Sequence, residues 1–377
     1  MADTLYFSRD TKVFVEIGNN VWEIPVLDGF SFSQATNTSE ITLNEMSDAS
    51  GNSRRGRQMF TDSYAPAEWS FSTYARPFKS TGSGVGAADD TANTHHAVEE
   101  VLWALMVGDA AYSAFDFTGV TRDGTSNMGV AFTSSNKTTL GTADIFFVMG
   151  GARSGTKTTY KIEGCCVNEV GVDFDIDGIT TLNWSGFGKI ITEDTAPTAT
   201  VTEAVSSTSN FIRNRLTSLV LTTADDHLLA AGEAADGDSD IETYNVVLTG
   251  GNITISNNLT FLTPETLGVV NQPLGHVTGT RSVSGSFTCY LNAEASSSAD
   301  LFERIIEDTD TITNNFDMTF NIGGASATPR ISMAMTNCHL EVPTHAIDDV
   351  ISLETNFHAL PSNIESADEL TITYVGA

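Results

Sequence analysis

The sequence predicts a mainly β protein made of two tandem, duplicated β-sandwich or barrel units, each with one flanking α-helix. Three observations carry that prediction. Ser70-Phe71-Ser72-Thr73-Tyr74 recurs as Ser286-Phe287-Thr288-Cys289-Tyr290. Each copy falls at the same place in an ordered series of matching segments, the mark of an internal repeat. Charged residues make up only 18% of the 377 positions, and the Ser, Thr, Gly, Val and Ile that replace them suit strands and turns.

The elements follow in order. Phe7-Ser8-Arg9-Asp10 leads into the alternation of Val13, Val15 and Ile17, and Phe211-Ile212-Arg213-Asn214 leads into Leu219 and Leu221. Alternation of this kind reads as a half-buried strand. Gly29 precedes Phe30 and Phe32, as Gly250-Gly251 precedes Ile253 and Ile255. A long polar segment comes next in each half, residues 44–68 and 264–281. Segments of this length between strands are expected to be extended hairpin arms or functional loops. The Ser-Phe-x-x-Tyr strand follows, and then one helix per half. Val98, Val101, Leu102, Leu105 and Met106 form an apolar face stopped by Gly108, and Leu301, Phe302, Ile305 and Ile306 form the second. Their i, i+3, i+4 spacing is that of an amphipathic helix lying on a sheet.

Phe146-Phe147-Val148 then leads to Gly150-Gly151, and Met318-Thr319-Phe320 to Gly323-Gly324. Cys166 and Cys338 are followed at equal distance by Glu169-Val170 and Glu341-Val342, and closing strands surround Leu182 and Leu353. The expected units are residues 1–191 and 210–377. Residues 192–209, rich in Ser, Thr and Ala, read as a flexible connector. The first half also carries two segments that the second lacks, 80–93 and about 109–140, expected to be surface loops.

The formal net charge is −30. Residues 1–188 hold 23 acidic and 12 basic residues, and 189–377 hold 25 and 6, with no lysine after Lys189. A phosphate-gripping domain needs a basic patch, which this balance denies to both halves. The four cysteines, Cys165, Cys166, Cys289 and Cys338, show no CxxC spacing and read as buried free thiols. Met1-Ala2-Asp3-Thr4 lacks the basic-then-apolar pattern of a signal peptide. No apolar run approaches the roughly 20 residues of a membrane span.

Motifs for chemistry are weak. Asp173-Phe174-Asp175-Ile176-Asp177-Gly178 opens like an EF-hand loop, but Trp184 stands where the twelfth-position glutamate belongs. The alternation reads instead as a strand with Asp173, Asp175 and Asp177 on one face, spaced about 6.6 Å apart. Asp236-Gly237-Asp238-Ser239-Asp240 reads as a solvated loop. His95-His96, His339, His345 and His358 form no zinc-helix spacing. No P-loop, nucleophile elbow or dinucleotide fingerprint is present, so no catalytic residue, metal or cofactor is expected. The one dense basic cluster, Arg54-Arg55-Gly56-Arg57, lies in the first arm. It is either a solvated loop or a contact for an acidic neighbour, where complementary charge sets docking register.

Ala67-Glu68-Trp69-Ser70-Phe71-Ser72-Thr73-Tyr74 followed by Pro77 resembles the tail tube proteins of long-tailed bacteriophages, in the branch with two fused tube domains per chain. Ile41-Thr42-Leu43-Asn44-Glu45, Trp184-Ser185-Gly186, Thr249-Gly250-Gly251, Asn257-Asn258 and Leu262-Thr263-Pro264 extend the likeness, as does Leu360-Pro361-Ser362. Some relatives carry a further immunoglobulin-like domain, for which no counterpart is seen before Ala377. The resemblance implies a structural virion protein assembled in the host cytoplasm. Three chains would close a pseudo-sixfold ring, and rings would stack into a tube. The implied partners are further copies of the chain, the tape measure protein, the tail terminator and tail-tip or baseplate proteins. Double-stranded DNA would pass through the lumen without sequence preference, and no membrane binding is implied. Arg54, Arg55 and Arg57 are the expected inter-ring contacts and Asp173, Asp175 and Asp177 the expected lumen lining. The rival reading is a secreted or surface β-sandwich adhesin or carbohydrate-binding protein. It calls for an exposed aromatic platform, whereas Trp22, Trp69, Trp103 and Trp184 sit in core-like patterns. A hydrolase would need a site that the sequence does not display.

Overall fold

Side-chain alternation shapes nearly every element. In Thr181–Gly188 each half-exposed residue is followed by a buried one, the period-2 signature of a strand with one wet face. The computed structural model describes residues 5–41, 49–51, 58–108, 111–113, 115–123, 127–132, 140–150, 157–201, 210–223, 243–307, 316–324 and 329–376. Arg54, Arg55, Arg57 and the 236–240 acidic cluster lie outside the described residues.

The chain is mainly β. The first half contains β1 (Lys12–Ile17), β2 (Asn20–Ile24), β3 (Ser31–Ile41), β4 (Gln58–Tyr74), β5 (Pro77–Lys79) and β6 (His95–Ala97). Helix α1 (Glu100–Val107) follows, then β7 (Tyr112–Ser113), β8 (Asp116–Phe117), β9 (Val120–Asp123) and β10 (Asn127–Ala131). It ends with β11 (Ala143–Gly150), β12 (Lys157–Asp175), β13 (Thr181–Gly188) and β14 (Ile191–Glu193). The second half contains β15 (Ser218–Thr223), β16 (Thr243–Val246), β17 (Leu248–Ser256), β18 (Thr260–Leu262), β19 (Gly275–Val277), β20 (Ser282–Tyr290) and α2 (Ser298–Glu307). It closes with β21 (Phe316–Ile322), β22 (Arg330–Leu340), β23 (Thr344–Ile347), β24 (Ile351–Ala359) and β25 (Thr371–Val375).

Pairing follows one order twice. In the first half it runs β2-β1-β11-β12-β13-β4-β3. In the second it runs β16-β15-β21-β22-β24-β20-β17. Every pair is antiparallel. The 19-residue β12 belongs to both layers of its half: Lys157–Cys165 pairs with β11, and Cys166–Asp173 with β13 across a bulge at Val167/Glu169. A bulge there increases the local twist and lets one strand turn from layer to layer. The halves join where Glu169–Asp175 of β12 pairs with Gly250–Ser256 of β17.

Between the layers lies a core that includes all four tryptophans, each at most 2% exposed. Trp103 of α1 meets Trp184 of β13 edge-on at 4.9 Å. Trp184 Nε1 donates to Thr73 Oγ1 at 2.9 Å, so its polar edge is satisfied inside the core. Helix α1 departs from the expected amphipathic pattern, since all eight of its residues are buried. The reason is the 109–140 segment, which is no surface loop where described: β9 and β10 contact α1, and Phe117, Val120, Met128 and Val130 are buried. α1 ends at Gly108, whose φ of +102° places it in the left-handed region, where glycine carries no Cβ penalty. α2 keeps the expected two-faced character, with Leu301 and Ile305 buried and Ile306 exposed.

The expected flexible connector also differs in its described part. Ile191–Glu193 pairs with Tyr160–Ile162. Further on, Thr200 and Val201 both donate backbone N–H groups to Val21 O at 3.0 Å. Residues 191–201 are thus a strap along the first half, anchored by Val201 and tied through main-chain bonds that a Ser/Thr/Ala composition does not disclose. At the other end β25 pairs with β22 on one side and β10 on the other. There Tyr374 donates to Glu99 Oε1 at 2.6 Å and accepts from Trp103 Nε1 at 2.7 Å. Burial pushes the Glu99 carboxyl up to about 7, against the lowering effect of hydrogen bonds from the Tyr374 hydroxyl and the Arg76 backbone N–H.

Candidate assembly surfaces

Eight strands form one continuous curved surface in the order β3-β4-β13-β12-β17-β20-β24-β23. Directly opposed residues of an antiparallel pair share a face, so the register reads out the chemistry of that face row by row. One row runs Tyr74, Thr181, Asp173, Asn252, Ser286 and Asn356. The next runs Ser72, Asn183, Gly171, Thr254, Ser284 and His358. A third row runs Asp175, Gly250, Thr288, Glu354 and Thr344, and Glu68 and Ser33 stand opposite each other on the same face. These rows are mostly polar or acidic and hold no lysine or arginine, with Phe187 opposite Glu68 as an apolar member of the same face. The reverse face buries Phe71, Leu182, Val172, Ile253 and Phe287.

Asp173 and Asp175 project from this polar face, exposed, while Val172 before them and Phe174 between them are buried. Asn183 Nδ2 donates to Asp173 Oδ2 at 2.7 Å. Asp177 departs from the expected one-face row. β12 ends at Asp175, and Gly178 at φ +131° turns the chain. Asp177 sits in that turn, 3.7 Å from Arg215 Nη1 with both groups exposed. Only two of the three aspartates are therefore strand neighbours.

The two arms are different in build. β3 and β4 pair from Ser31/Ser70 out to Ile41/Gln58, and the first five residues of β4 are exposed on both faces. This is a hairpin projecting beyond the body of the sheet. The second arm is the short β18/β19 hairpin with the 263–274 loop. The arms touch: Tyr64 N donates to Asn271 O at 2.9 Å, and Asn271 N to Asp62 O at 3.0 Å. The sequence predicts a polar second segment. Its structure instead exposes Leu267 completely, with Leu262, Val269, Val270 and Leu274 also largely outside. Met59 and Phe60 of the first arm are likewise exposed. Contiguous exposed apolar groups at a loop tip mark an interaction surface. The missed signal was the run of Leu and Val around Gly268 and Pro273 without strand alternation.

The described residues offer little for catalysis. No group of three His, Cys, Asp or Glu is placed to hold a metal among them. Cys166 Sγ lies 3.0 Å from His276 Nδ1, but burial pushes its thiol up to about 12, which keeps it a thiol and a poor nucleophile at neutral pH. All four cysteines are free and buried. Among the described residues no helix is long and apolar enough to cross a membrane. His96 lies buried between Glu100 and Asp90 at 3.0 and 3.3 Å, a packed polar cluster at the start of α1.

Comparison with known proteins places the surface in context. The family model described as phage tail tube protein matches residues 27–359. Tail tube protein pb6 of Escherichia phage T5 is 29% identical over 381 residues, an alignment that covers 97% of this chain and 75% of that protein.

Proposed function

The chain belongs to the phage tail tube protein family, a structural virion component and not an enzyme class, and from that premise we propose that three copies close each ring of a tail tube. The observation that carries this reading is the eight-strand surface with one largely polar face whose rows hold no lysine or arginine. In a closed ring that face is the lumen wall. Two tandem units per chain then supply six units from three copies, and Asp173 and Asp175 line the channel, with Asp177 at its rim.

Rings stacked head to tail make heterologous contacts, and such contacts propagate as filaments. The arms, with Arg54, Arg55 and Arg57 on the first and the exposed apolar tip on the second, are the reach from one ring to the next. The tube encloses a tape measure protein during assembly and meets terminator and tip proteins at its ends. It later conducts double-stranded DNA without sequence preference. Three chains bring a charge of roughly −90 to each ring, repelling DNA over about 8 Å at physiological salt. That range keeps the polymer off the wall without barring the channel. Electron microscopy of the purified protein tests the proposal. Threefold rings or striated hollow tubes are expected, and compact monomers at every concentration would rule it out.

A further inference from the structure

One pocket of the first half gathers cations, although the chain as a whole is strongly acidic. It lies where β1 and β12 begin and β11 ends, and its volume is about 360 Å³. Arg9, Lys12 and Lys157 stand around it with Asp10 beside them, while Phe14, Val148 and Pro197 give it apolar walls. Lys12 pairs with Glu23 at 2.8 Å. Arg9 and Lys157 are exposed and form no ion pair among the described residues. In a chain of net charge −30, two such cations over an apolar floor suit an acidic segment that also carries apolar side chains.

The second half closes the equivalent place with its own side chain. Val13 faces Phe147 in one half, and Leu219 faces Phe320 in the other. Each Phe is followed three residues later by a turning glycine, Gly150 at φ +80° and Gly323 at φ +99°. Short 3-10 turns, Ser8–Asp10 and Asn214–Leu216, precede β1 and β15 at the same distance. Lys12 therefore corresponds to Ser218 and Tyr6 to Ile212. Ile212 is fully buried, and a Cβ on Gly323 would come within 2.9 Å of its Cγ2. It is held near the seam between β12 and β17 by Thr180 N, which donates to Ile212 O at 2.9 Å. Tyr6 is instead 45% exposed, with its hydroxyl 2.9 Å from Thr158 Oγ1, and the room beside Gly150 stays open.

We propose that residues 224–242 of one copy seat in the Arg9/Lys157 pocket of a copy in the adjoining ring. This rests on the stacked-ring reading above and adds a contact to it. The segment carries seven acidic residues and no lysine or arginine, with Leu228 and Leu229 to meet Phe14 and Val148. Its place in the fold makes the occupant a second copy. β15 begins at Ser218, the counterpart of the pocket end of β1, and ends at Thr223. Thr222 faces Thr243, so the segment leaves and returns at that far end. Nine residues out and as many back reach about 30 Å. In a ring, rotation about the tube axis relates the two halves and keeps their axial direction. Pocket and segment then stand at opposite ends of one copy and meet when copies stack head to tail. Complementary charge of this kind sets docking register and weakens as salt is raised.

Charge exchange tests the contact. Arg9→Glu with Lys157→Glu reverses the pocket and leaves the Lys12–Glu23 pair in place. Asp236→Lys, Asp238→Lys and Asp240→Lys together reverse the segment. Each set alone should keep the parental circular dichroism and threefold rings but form tubes about tenfold shorter at physiological salt. The chain carrying both sets should recover parental length. Parental length in the two separate variants, or no recovery in the combined chain, overturns the contact and leaves the ring reading intact. Thr11→Cys with Asp238→Cys then shows which copy is bound. Mild oxidation of assembled material should give disulfide-linked dimers and longer ladders on a non-reducing gel, and a cross-link confined to single chains overturns the proposal. A parent protein that forms no rings at any concentration overturns the contact together with the ring reading.

Discussion

Phe174 lies directly opposite Gly251, and its ring fills the space that a side chain there would need. A Cβ built on Gly251 would come within 2.8 Å of Phe174 Cζ and 2.5 Å of the Ser286 carbonyl oxygen. The second contact is with backbone and cannot be relieved by a rotamer change. Gly251→Ala should therefore destabilise the chain by about 2 kcal/mol through overpacking. Gly275→Ala, with open space around it, should stay within about 0.5 kcal/mol of the parent. Urea unfolding of both variants checks the contrast, and equal midpoints would mean that the seam is looser than its geometry.

Glu99 makes the fold sensitive to pH near neutrality. Its folded-state carboxyl holds its proton up to about 7, against an ordinary 4.5. Between those values the folded chain binds more protons than the unfolded one, so stability falls as pH rises from about 4.5 to 7 and then levels off. The loss is on the order of 3 kcal/mol. Because Tyr374 of the last strand donates to this carboxyl, the docking of β25 should loosen over the same range. Urea midpoints measured at intervals from pH 4.5 to 8 should decline in the parent. Those of Glu99→Gln should change much less, and parallel curves would remove Glu99 as the cause.

Much of this architecture is legible in the sequence because it is written with period 2. The Ser70–Tyr74 and Ser286–Tyr290 strands, the tryptophan core and the burial of the cysteines all follow from alternation and composition. What escapes is long-range. Nothing local in Glu99 says that a tyrosine 275 residues later will lie against it. Nothing in the Thr/Ser-rich run after Ile191 says that its backbone will bind Val21. The polar face itself was readable as Ser-x-Ser-x-Tyr, but its continuity across eight strands needed the pairing. Asp177 was misplaced for a local reason: the carboxylate spacing holds only while the strand lasts, and Gly178 ends it.

Leu267 is fully exposed at the tip of the second arm, where an apolar side chain contributes nothing to the folded monomer. Leu267→Glu should leave unfolding midpoints within about 0.5 kcal/mol of the parent while shortening or abolishing tubes. Deleting residues 48–59 from the first arm should act in the same way, leaving folded subunits that do not stack. Circular dichroism and electron microscopy on the same preparations separate the two effects. Full-length tubes from both variants would remove the arms as the link between rings.

Asp173 and Asp175 stand on the exposed face of β12, held two residues apart by a strand whose other face is core. Reversing their charge alters that face without disturbing the packing behind it, since neither side chain enters the core. In the proposed ring of three copies, Asp173→Lys with Asp175→Lys would place six cations. Each lysine close to a phosphate releases counterions, so attraction replaces repulsion and should weaken steeply with salt. Particles carrying the double variant should eject DNA more slowly than the parent at low salt, with the difference shrinking as salt is raised. Asp173→Asn with Asp175→Asn removes the charge without supplying attraction and should slow ejection less. Ejection rates identical in all three at every salt concentration would place these aspartates away from the channel.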